Sequence, residues 1–308
     1  MNTKLLTECQ LCGHKCGVNR LAGQRGICQA GITPMVASAC LHHGEEPVIS
    51  GQLGSGTIFF THCVLRCVFC QNYEISQAEK GAEASTEQLV EMMLALQRDG
   101  AHNINLVSPT QYGWQLKTAL VEAKRAGLFL PVVYNTGGYD SLDLLLELSG
   151  LIDIYLPDLK YFNDERAARY SGGENYLAVA TAGIREMHRQ VGDIKLDQQG
   201  LAQKGVLVRH LVLPNNLADT KPALHFLREL SPKIWLSLMA QYIPQYRASE
   251  YPEINRQLLP EEYNPLLDYA SELGLENVFI QDLNSAGQFL PDFSQTQPFN
   301  PANNQIGT

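Results

Sequence analysis

The sequence predicts an α/β fold in which parallel strands alternate with helices. From residue 57 onward, short apolar or β-branched runs alternate with segments of helical periodicity. Six strands and a weaker seventh are expected, at 57–62, 103–107, 130–135, 152–156, 206–212, 234–239 and, for the weaker one, 277–280. Such alternation is typical of parallel strands joined by right-handed crossovers, and it fits an open barrel, a closed barrel or a doubly wound sheet.

Three segments between these strands have the clearest helical pattern. Residues 86–97 open with a capping residue and stop before Gly100, and 116–126 and 141–148 have similar periodicity. In all of these folds the chemistry collects at the carboxyl ends of the strands. Residues that directly follow each strand are therefore the first candidates for a functional site.

The overall composition narrows the class of protein. The chain has 308 residues, of which 45% are hydrophobic and 18% are charged, and its net charge is −9. No global positive field attracts nucleic acid or an anionic membrane, so a nucleic-acid partner is not expected. The first eight residues contain no apolar signal core, and no apolar run is long enough to span a bilayer. We expect a cytoplasmic protein without a membrane partner.

All eight cysteines lie in the first 70 residues, at positions 9, 12, 16, 28, 40, 63, 67 and 70. A disulfide-stapled secreted protein would seldom leave the remaining residues without cysteine. The distribution therefore predicts metal binding in a reducing compartment.

The densest cysteine group directly follows the first predicted strand. Cys63, Cys67 and Cys70 are separated by three and then two residues. Three thiolates on one tight loop are soft ligands that suit an iron–sulfur cluster and leave one iron without a protein ligand. A structural zinc site requires four protein ligands. The alternatives are three buried apolar cysteines, or a zinc site completed by His62 or a distant residue.

A second group precedes this loop. Cys9, Cys12, Cys16 and Cys28 predict a structural four-cysteine site, with zinc as the first expectation, an iron–sulfur cluster as the second and free thiols as the alternative. The remaining Cys40 stands near four polar residues, His42, His43, Glu45 and Glu46. We interpret this last stretch as a polar connector rather than a ligand set.

Polar residues at the strand ends form the candidate binding site. They are Ser108 and Thr110 after the second strand, Asn135 and Thr136 after the third, Asp158 and Lys160 after the fourth, Arg209 within the fifth and Gln241 after the sixth. Such residues can bind a polar or charged ligand through charge-assisted and neutral hydrogen bonds. Along the chain we expect a cysteine-rich head (1–50), a barrel domain (51–283) and an extended or disordered tail (284–308).

The cysteine loop resembles that of a known family. Its spacing, with Phe69 just before the last cysteine, is similar to the cluster loop of radical S-adenosylmethionine (SAM) enzymes. The continuation Cys70-Gln71-Asn72-Tyr73 resembles the pyruvate formate-lyase activating enzyme branch. The resemblance implies a partial (β/α)6 barrel, a 4Fe-4S cluster on Cys63, Cys67 and Cys70, and SAM on the open iron. Reductive cleavage would give methionine and a 5′-deoxyadenosyl radical.

The same resemblance assigns roles to the strand-end residues. Asp158-Leu159-Lys160 is similar to the Asp-Leu-Lys at the cofactor of glycyl-radical activating enzymes, and Arg209 to their active-site arginine. Asn135-Thr136 matches a pair near the cofactor, and the backbone of Phe69 would lie beside the adenine. Ser108-Pro109-Thr110 replaces the usual Gly-Gly-Glu, and Gln241 replaces a histidine. The head cysteines Cys9 to Cys28, together with Glu45-Glu46-Pro47 and Arg209-His210-Leu211, resemble a subgroup of uncharacterised activating-enzyme-like proteins.

The leading hypothesis is a radical SAM enzyme that abstracts hydrogen from a glycine of a glycyl-radical enzyme, with flavodoxin or ferredoxin as electron donor. One alternative keeps the radical chemistry but acts on another peptide or a small molecule. An alternative of another class is a non-catalytic zinc-binding interaction module, which would give colourless protein and no turnover of SAM.

Overall fold

The architecture is described from a computed structural model of the chain, which describes residues 4–283, 290–295 and 297–299. Most of the predicted tail, 284–308, lies outside the described residues. The fold is confirmed as α/β with a sheet dominated by parallel strands. The ten strands of the described part are β1 Met35–His42, β2 Ser55–Phe60, β3 Ala82–Glu83, β4 Ile104–Val107, β5 Val132–Thr136, β6 Ile154–Pro157, β7 Lys195–Leu196, β8 Ala202–Leu211, β9 Trp235–Met239 and β10 Asn277–Ile280.

The strands lie side by side in the order β10-β9-β8-β6-β5-β4-β2-β1-β3, with the short β7 paired to β8. All pairs from β2 to β10 along this path are parallel, whereas β1 is antiparallel to β2 and to β3. Within the described residues β10 pairs with β9 alone, so the sheet is an open, partial barrel. The six predicted strands and the weaker seventh are its parallel strands.

Helices connect the parallel strands. The described helices are α1 Lys4–Thr7, α2 Pro47–Ser50, α3 Tyr73–Ser76, α4 Thr86–Arg98, α5 Gly113–Arg125, α6 Leu142–Glu147, α7 Asp164–Ser171, α8 Tyr176–Val191, α9 Thr220–Leu230 and α10 Pro260–Glu272. The three predicted helices correspond to α4, α5 and α6. Helix α4 begins with a capping box, in which Ser85 and Gln88 satisfy each other's backbone N–H groups. Its buried face carries Leu89, Met93 and Leu96.

Strand β1 was not predicted. Its eight residues alternate only imperfectly between buried and exposed positions, and they lie between the two cysteine groups that were interpreted as metal ligands. Because His42 pairs with Ser55, the chain after β1 turns below the amino ends of the parallel strands. There Val48 and Ile49 of α2 pack on Val133 and Ile154. This connector therefore closes the lower end of the barrel.

The head packs against the opposite end of the sheet. The backbone N–H of Gly13 donates to Tyr139 O at 3.0 Å, and Cys12 forms an isolated bridge with Asp140, in the loop after β5. The boundary predicted at residues 50 and 51 stays a prediction. Among the helices of the described part, none combines the length and apolar character needed to traverse a lipid bilayer.

Candidate active site

The three-cysteine loop begins where the fully buried strand β2 ends, at the carboxyl end of the parallel sheet. His62 turns the chain with a left-handed backbone (φ 62°), and its N–H donates to Ile75 O at 2.9 Å. The loop is held by three further backbone hydrogen bonds, Arg66 N to Ser171 O, Val68 N to Tyr170 O and Arg247 N to Val68 O. These contacts fix the loop before any ligand binds.

Each thiol of the loop has one hydrogen-bond partner. The backbone N–H of Leu65 donates to Cys63 Sγ at 3.4 Å, and the Ser171 hydroxyl donates to Cys67 Sγ at 3.0 Å. Cys70 Sγ lies 3.3 Å from Ser76 Oγ. Burial raises the pKa of Cys63 to about 12 and that of Cys70 to about 11. The thiols of Cys63 and Cys70 are therefore protonated in the absence of metal, and metal binding to them would release protons.

A cavity of about 230 Å³ separates this loop from the polar strand ends. Cys67, Phe69 and Cys70 line its upper side. The residues that line it and were predicted from the strand ends are Asn135, Asp158, Lys160, Arg209 and Gln241. Three soft thiol donors on one loop, beside the cationic Lys160, suit an iron–sulfur cluster. The donor set therefore fits the cofactor predicted for it.

Asp158, Lys160 and Arg209 form a charged wall on one side of the cavity, and Asp158 is at its centre. Its two oxygens accept hydrogen bonds from Lys160 Nζ at 2.5 Å and from Arg209 Nε at 2.9 Å. Burial opposes ionisation of Asp158, but the charges of Arg209 and Lys160 outweigh it and lower the pKa of the carboxyl. Burial also opposes the charged form of Lys160, and Asp158 raises its pKa above the ordinary value. The wall therefore carries one carboxylate between two fixed cations.

Glu45 completes this wall from the connector after β1. Its Oε2 accepts a hydrogen bond from Arg209 Nη1 at 3.1 Å, and its Oε1 accepts from Asn105 Nδ2 at 2.9 Å and Asn135 Nδ2 at 3.2 Å. The sequence placed Glu45 in a polar connector, and that interpretation missed its place in the cavity. The signal was the acidic pair Glu45-Glu46 directly before Pro47, because a double acid that starts a helix below a barrel can reach the interior.

Thr110 and Thr136 do not line the cavity. Their hydroxyls donate to the two oxygens of buried Asp140, at 2.8 and 2.6 Å, and the Tyr134 hydroxyl donates to Asp140 Oδ1 at 2.8 Å. Burial raises the pKa of Asp140. Ser108 also lies outside the cavity lining, and it adopts a left-handed backbone (φ 54°). The cofactor roles of Ser108, Thr110 and Thr136 stay predictions, and Asp140 was not predicted.

The loop after β5 passes close to this wall. Gly138 has φ +76°, and a Cβ at this position would lie 2.3 Å from Asp158 O. Any side chain would therefore displace the loop from the strand end.

The side of the cavity opposite the charged wall is aromatic. The rings of His42 and Phe299 lie 4.1 Å apart, and those of Phe59 and Phe299 stack at 5.1 Å.

The four head cysteines line one small cavity of their own, together with His14, Arg20, Val64 and Gln111. In the described ranges no three His, Cys, Asp or Glu side chains are gathered as ligands of a single metal ion, neither here nor in the Cys63–Cys70 loop. In an iron–sulfur cluster the cysteines bind different iron atoms, so convergence on one point is not required. The metal of the head stays a prediction.

The sequence of this chain is similar to those of known proteins. Residues 57–227 match the family model of the Radical SAM superfamily. An uncharacterised protein of Methanocaldococcus jannaschii is 31% identical over 284 residues, which cover 89% of this chain and 78% of that protein. A second uncharacterised protein of the same organism is 24% identical over 275 residues, which cover 86% and 72% of the two chains.

A solved structure shares the fold. SuiB of Streptococcus suis, crystallised with S-adenosylmethionine, superposes with a TM-score of 0.52 at 13% identity. The match covers 72% of this chain and 48% of the SuiB chain, so this chain spans about half the length of SuiB. At this identity the likeness shows a shared fold and no more.

Proposed function

The chain belongs to the radical SAM superfamily, and from this premise we propose that it is an enzyme of the type that activates glycyl-radical proteins. Superfamily membership makes the chain an enzyme and implies a 4Fe-4S cluster and SAM as its cofactors. The non-catalytic zinc module is therefore not retained. When bound, the cluster and SAM supply an electron transfer that cleaves the sulfonium to methionine and a 5′-deoxyadenosyl radical.

One observation carries this proposal: the cysteine loop and the charged wall face each other across a single cavity. Cys63, Cys67 and Cys70 would hold the cluster, and their three hydrogen-bond partners would orient the thiolates. In this proposal Asp158 would bind an ammonium group and Lys160 a carboxylate. Phe69, packed edge-on against Tyr242 at 5.5 Å, would keep its backbone at the cavity for an adenine ring.

Two resemblances support a glycine of a protein as the hydrogen donor. Cys70-Gln71-Asn72-Tyr73 and Asp158-Leu159-Lys160 both resemble glycyl-radical activating enzymes, and Gln71, Asn72, Asp158 and Lys160 all line the cavity. The protein partner would then be a glycyl-radical enzyme, and flavodoxin or ferredoxin would supply the electron. The eight cysteines are all free, which supports a cytoplasmic location.

A second candidate is a radical SAM enzyme with another peptide or a small molecule as substrate. The observation that favours it is the Glu45–Arg209 ion pair in the cavity wall, because Glu45-Glu46-Pro47 resembles the uncharacterised activating-enzyme-like subgroup and has no counterpart among the residues matched to the glycyl-radical activating enzymes. A substrate with a polar or charged group could exchange partners with this pair. The replacement of Gly-Gly-Glu by Ser108-Pro109-Thr110 points the same way.

We also propose that the four head cysteines hold a second metal centre, either zinc or an iron–sulfur cluster. The shared cavity of Cys9, Cys12, Cys16 and Cys28 supports this assignment.

The first test is anaerobic reconstitution with iron and sulfide, followed by measurement of 5′-deoxyadenosine from SAM under dithionite. We expect product from the wild type and from Cys40→Ala, and none above background from Cys67→Ala. Cys40 is the matched control, since it is a buried cysteine outside both groups. Equal product from Cys67→Ala would contradict the cluster assignment. A glycyl radical seen by electron paramagnetic resonance on a candidate partner would establish the substrate, and its absence on every such partner would favour the second candidate.

A further inference from the structure

A buried arginine lies among the four head cysteines. Arg20 is 2% exposed and lines the cavity formed by Cys9, Cys12, Cys16 and Cys28. Its Nη1 donates to Gln111 O, and its Nη2 donates to Gly31 O. Its Nε is buried and has no hydrogen-bond partner. The guanidinium is thus aimed into the cavity with part of its donor capacity unused.

The charge of Arg20 has no carboxylate partner. Both of its hydrogen bonds go to neutral backbone carbonyls, and in the part of the chain that the structure describes no ion pair includes Arg20. The ionisable groups that line the cavity with Arg20 are His14 and the four thiols, and of these only the thiols can become anions next to it. Arg20 is close enough to interact electrostatically with Cys9 and Cys28. A buried cation without a counter-charge is strongly unfavourable, and arginine does not lose its proton in proteins.

Thiolates bound to metal would supply the missing negative charge. Four thiolates around one zinc ion, or around an oxidised 4Fe-4S cluster, carry a net negative charge. Neutral thiols would not, and they would leave the guanidinium uncompensated. A buried cation against a tetrathiolate centre is therefore the arrangement in which both groups are stable.

We propose that Arg20 is the counter-charge of an anionic metal–thiolate centre on Cys9, Cys12, Cys16 and Cys28, and that this centre supports the cysteine loop of the active site. The proposal rests on the second metal centre proposed above. Arg20 acts as a positioning residue, because it lines the head cavity and not the cavity of the candidate active site.

Two contacts connect the head cavity to the active-site loop. The ring of His14, which lines the cavity, has its Nε2 2.8 Å from the carbonyl oxygen of Val64, the residue after Cys63. Gln111, whose carbonyl accepts from Arg20, donates from Nε2 to Thr61 O at 2.9 Å and to His62 O at 3.1 Å. The head centre thus lies against the backbone on both sides of Cys63.

The test uses the full chain carrying Cys63→Ala, Cys67→Ala and Cys70→Ala, so that any metal bound belongs to the head. This parent is treated anaerobically in two separate arms, one with zinc alone and one with iron and sulfide. Metal affinity is measured by chelator competition, and circular dichroism checks the fold. Three further substitutions are compared in the parent: Arg20→Gln, Arg20→Lys and, as the matched control, the half-exposed Arg25→Gln.

We expect the parent to bind one centre in one of the two arms, which identifies the metal. Arg20→Gln should weaken that affinity by about 10- to 100-fold, as loss of an outer-shell partner does. Arg20→Lys should retain most of the affinity, because it keeps the charge, and Arg25→Gln should match the parent. If Arg20→Gln does not fold, the metal affinity of Arg20→Lys is compared with that of Arg25→Gln, and the inference requires the two affinities to be similar.

Three results would overturn the inference: a folded parent that binds metal in neither arm, a folded Arg20→Gln with parental affinity, or a folded Arg20→Lys that loses affinity. None of them depends on SAM cleavage. If the wild type produces 5′-deoxyadenosine but the triple-alanine parent binds no metal, this inference is contradicted and the proposed function is not.

Discussion

Arg209 and Glu45 form an ion pair inside the barrel, with Nη1 3.1 Å from Oε2, although the two residues are 164 positions apart in the chain. The side chains are only 16% and 7% exposed. Arg209 also pairs with Asp158, so the arginine joins the connector below the barrel to the charged wall at the strand ends. The lower end of the barrel and the cofactor wall are therefore one polar unit.

Replacing Glu45 by glutamine should destabilise this unit. Arg209 would lose one of its two carboxylate partners while Asp158 still balances its charge, so we expect the free energy of unfolding to fall by about 1–3 kcal/mol. Urea unfolding of the anaerobically prepared protein measures the change. Glu122→Gln, at an exposed site on α5, is the control and should stay within about 0.5 kcal/mol of the wild type. Equal stability of the two variants would show that the pair contributes nothing.

Lys160→Gln should weaken SAM binding. The substitution removes a cation that lines the cavity and contacts Asp158, and a hydrogen bond to a charged group is typically worth about 1.5–3 kcal/mol. We therefore expect the dissociation constant for SAM to rise roughly 10- to 100-fold in calorimetry with the reconstituted enzyme. Lys80→Gln, an exposed lysine, is the matched control. An unchanged affinity in Lys160→Gln would remove Lys160 from the cofactor site.

Thr136→Val separates two roles for this strand end. Its hydroxyl donates to buried Asp140 at 2.6 Å, so the variant should lose about 1–2 kcal/mol of unfolding free energy while its affinity for SAM changes less than about twofold. Unfolding and SAM binding are measured on the same preparation. A large loss of affinity at unchanged stability would instead support the cofactor role that the sequence assigns to Thr136.

His210 makes the stability of the protein depend on pH. It is fully buried, with Nδ1 2.6 Å from Leu159 O and Nε2 3.0 Å from Thr220 Oγ1, and burial lowers its pKa from 6.5 to about 4. Between these values the unfolded chain binds the proton and the folded chain does not. The contribution of His210 to stability is therefore complete above about pH 6.5, and it is lost as the pH falls towards 4.

The loss from this one group should reach about 3 kcal/mol at the acid end of the window. Urea unfolding at several pH values measures it, and His210→Asn should show a smaller slope of unfolding free energy between pH 6.5 and 4. Burial also lowers the pKa of His42 to about 4, so the contribution of His42 to the pH dependence of the unfolding free energy remains in the His210→Asn variant. A wild-type slope equal to that of His210→Asn would contradict the assignment.

The parts of the site that depend on neighbours in the sequence were predictable. The spacing of Cys63, Cys67 and Cys70 is enough to predict a loop that binds a soft metal. The positions of Asp158 and Lys160 follow from the strand that directly precedes them. Glu45 was missed because the acidic pair before Pro47 indicates the start of a helix, but does not indicate that the connector turns below the barrel and brings Glu45 to Arg209. Thr110 and Thr136 follow strands as predicted, but a strand end has two sides, and which side a hydroxyl faces depends on Asp140 from another loop.

By itself the sequence determined the α/β class, the order of the parallel strands along the chain and the family. These follow from periodicity and from ligand spacing, which are local properties of the chain. Only the tertiary structure decided that β1 joins the sheet as an antiparallel strand, that Glu45 meets Arg209, and that Arg20 lies among the head cysteines. The pairing of β1 depends on backbone hydrogen bonds to β2, which the fold brings alongside it. The contacts of Glu45 and Arg20 depend on partners distant in the chain, Arg209 and the Gln111 carbonyl, because a buried charge is stable only where the fold brings it a partner.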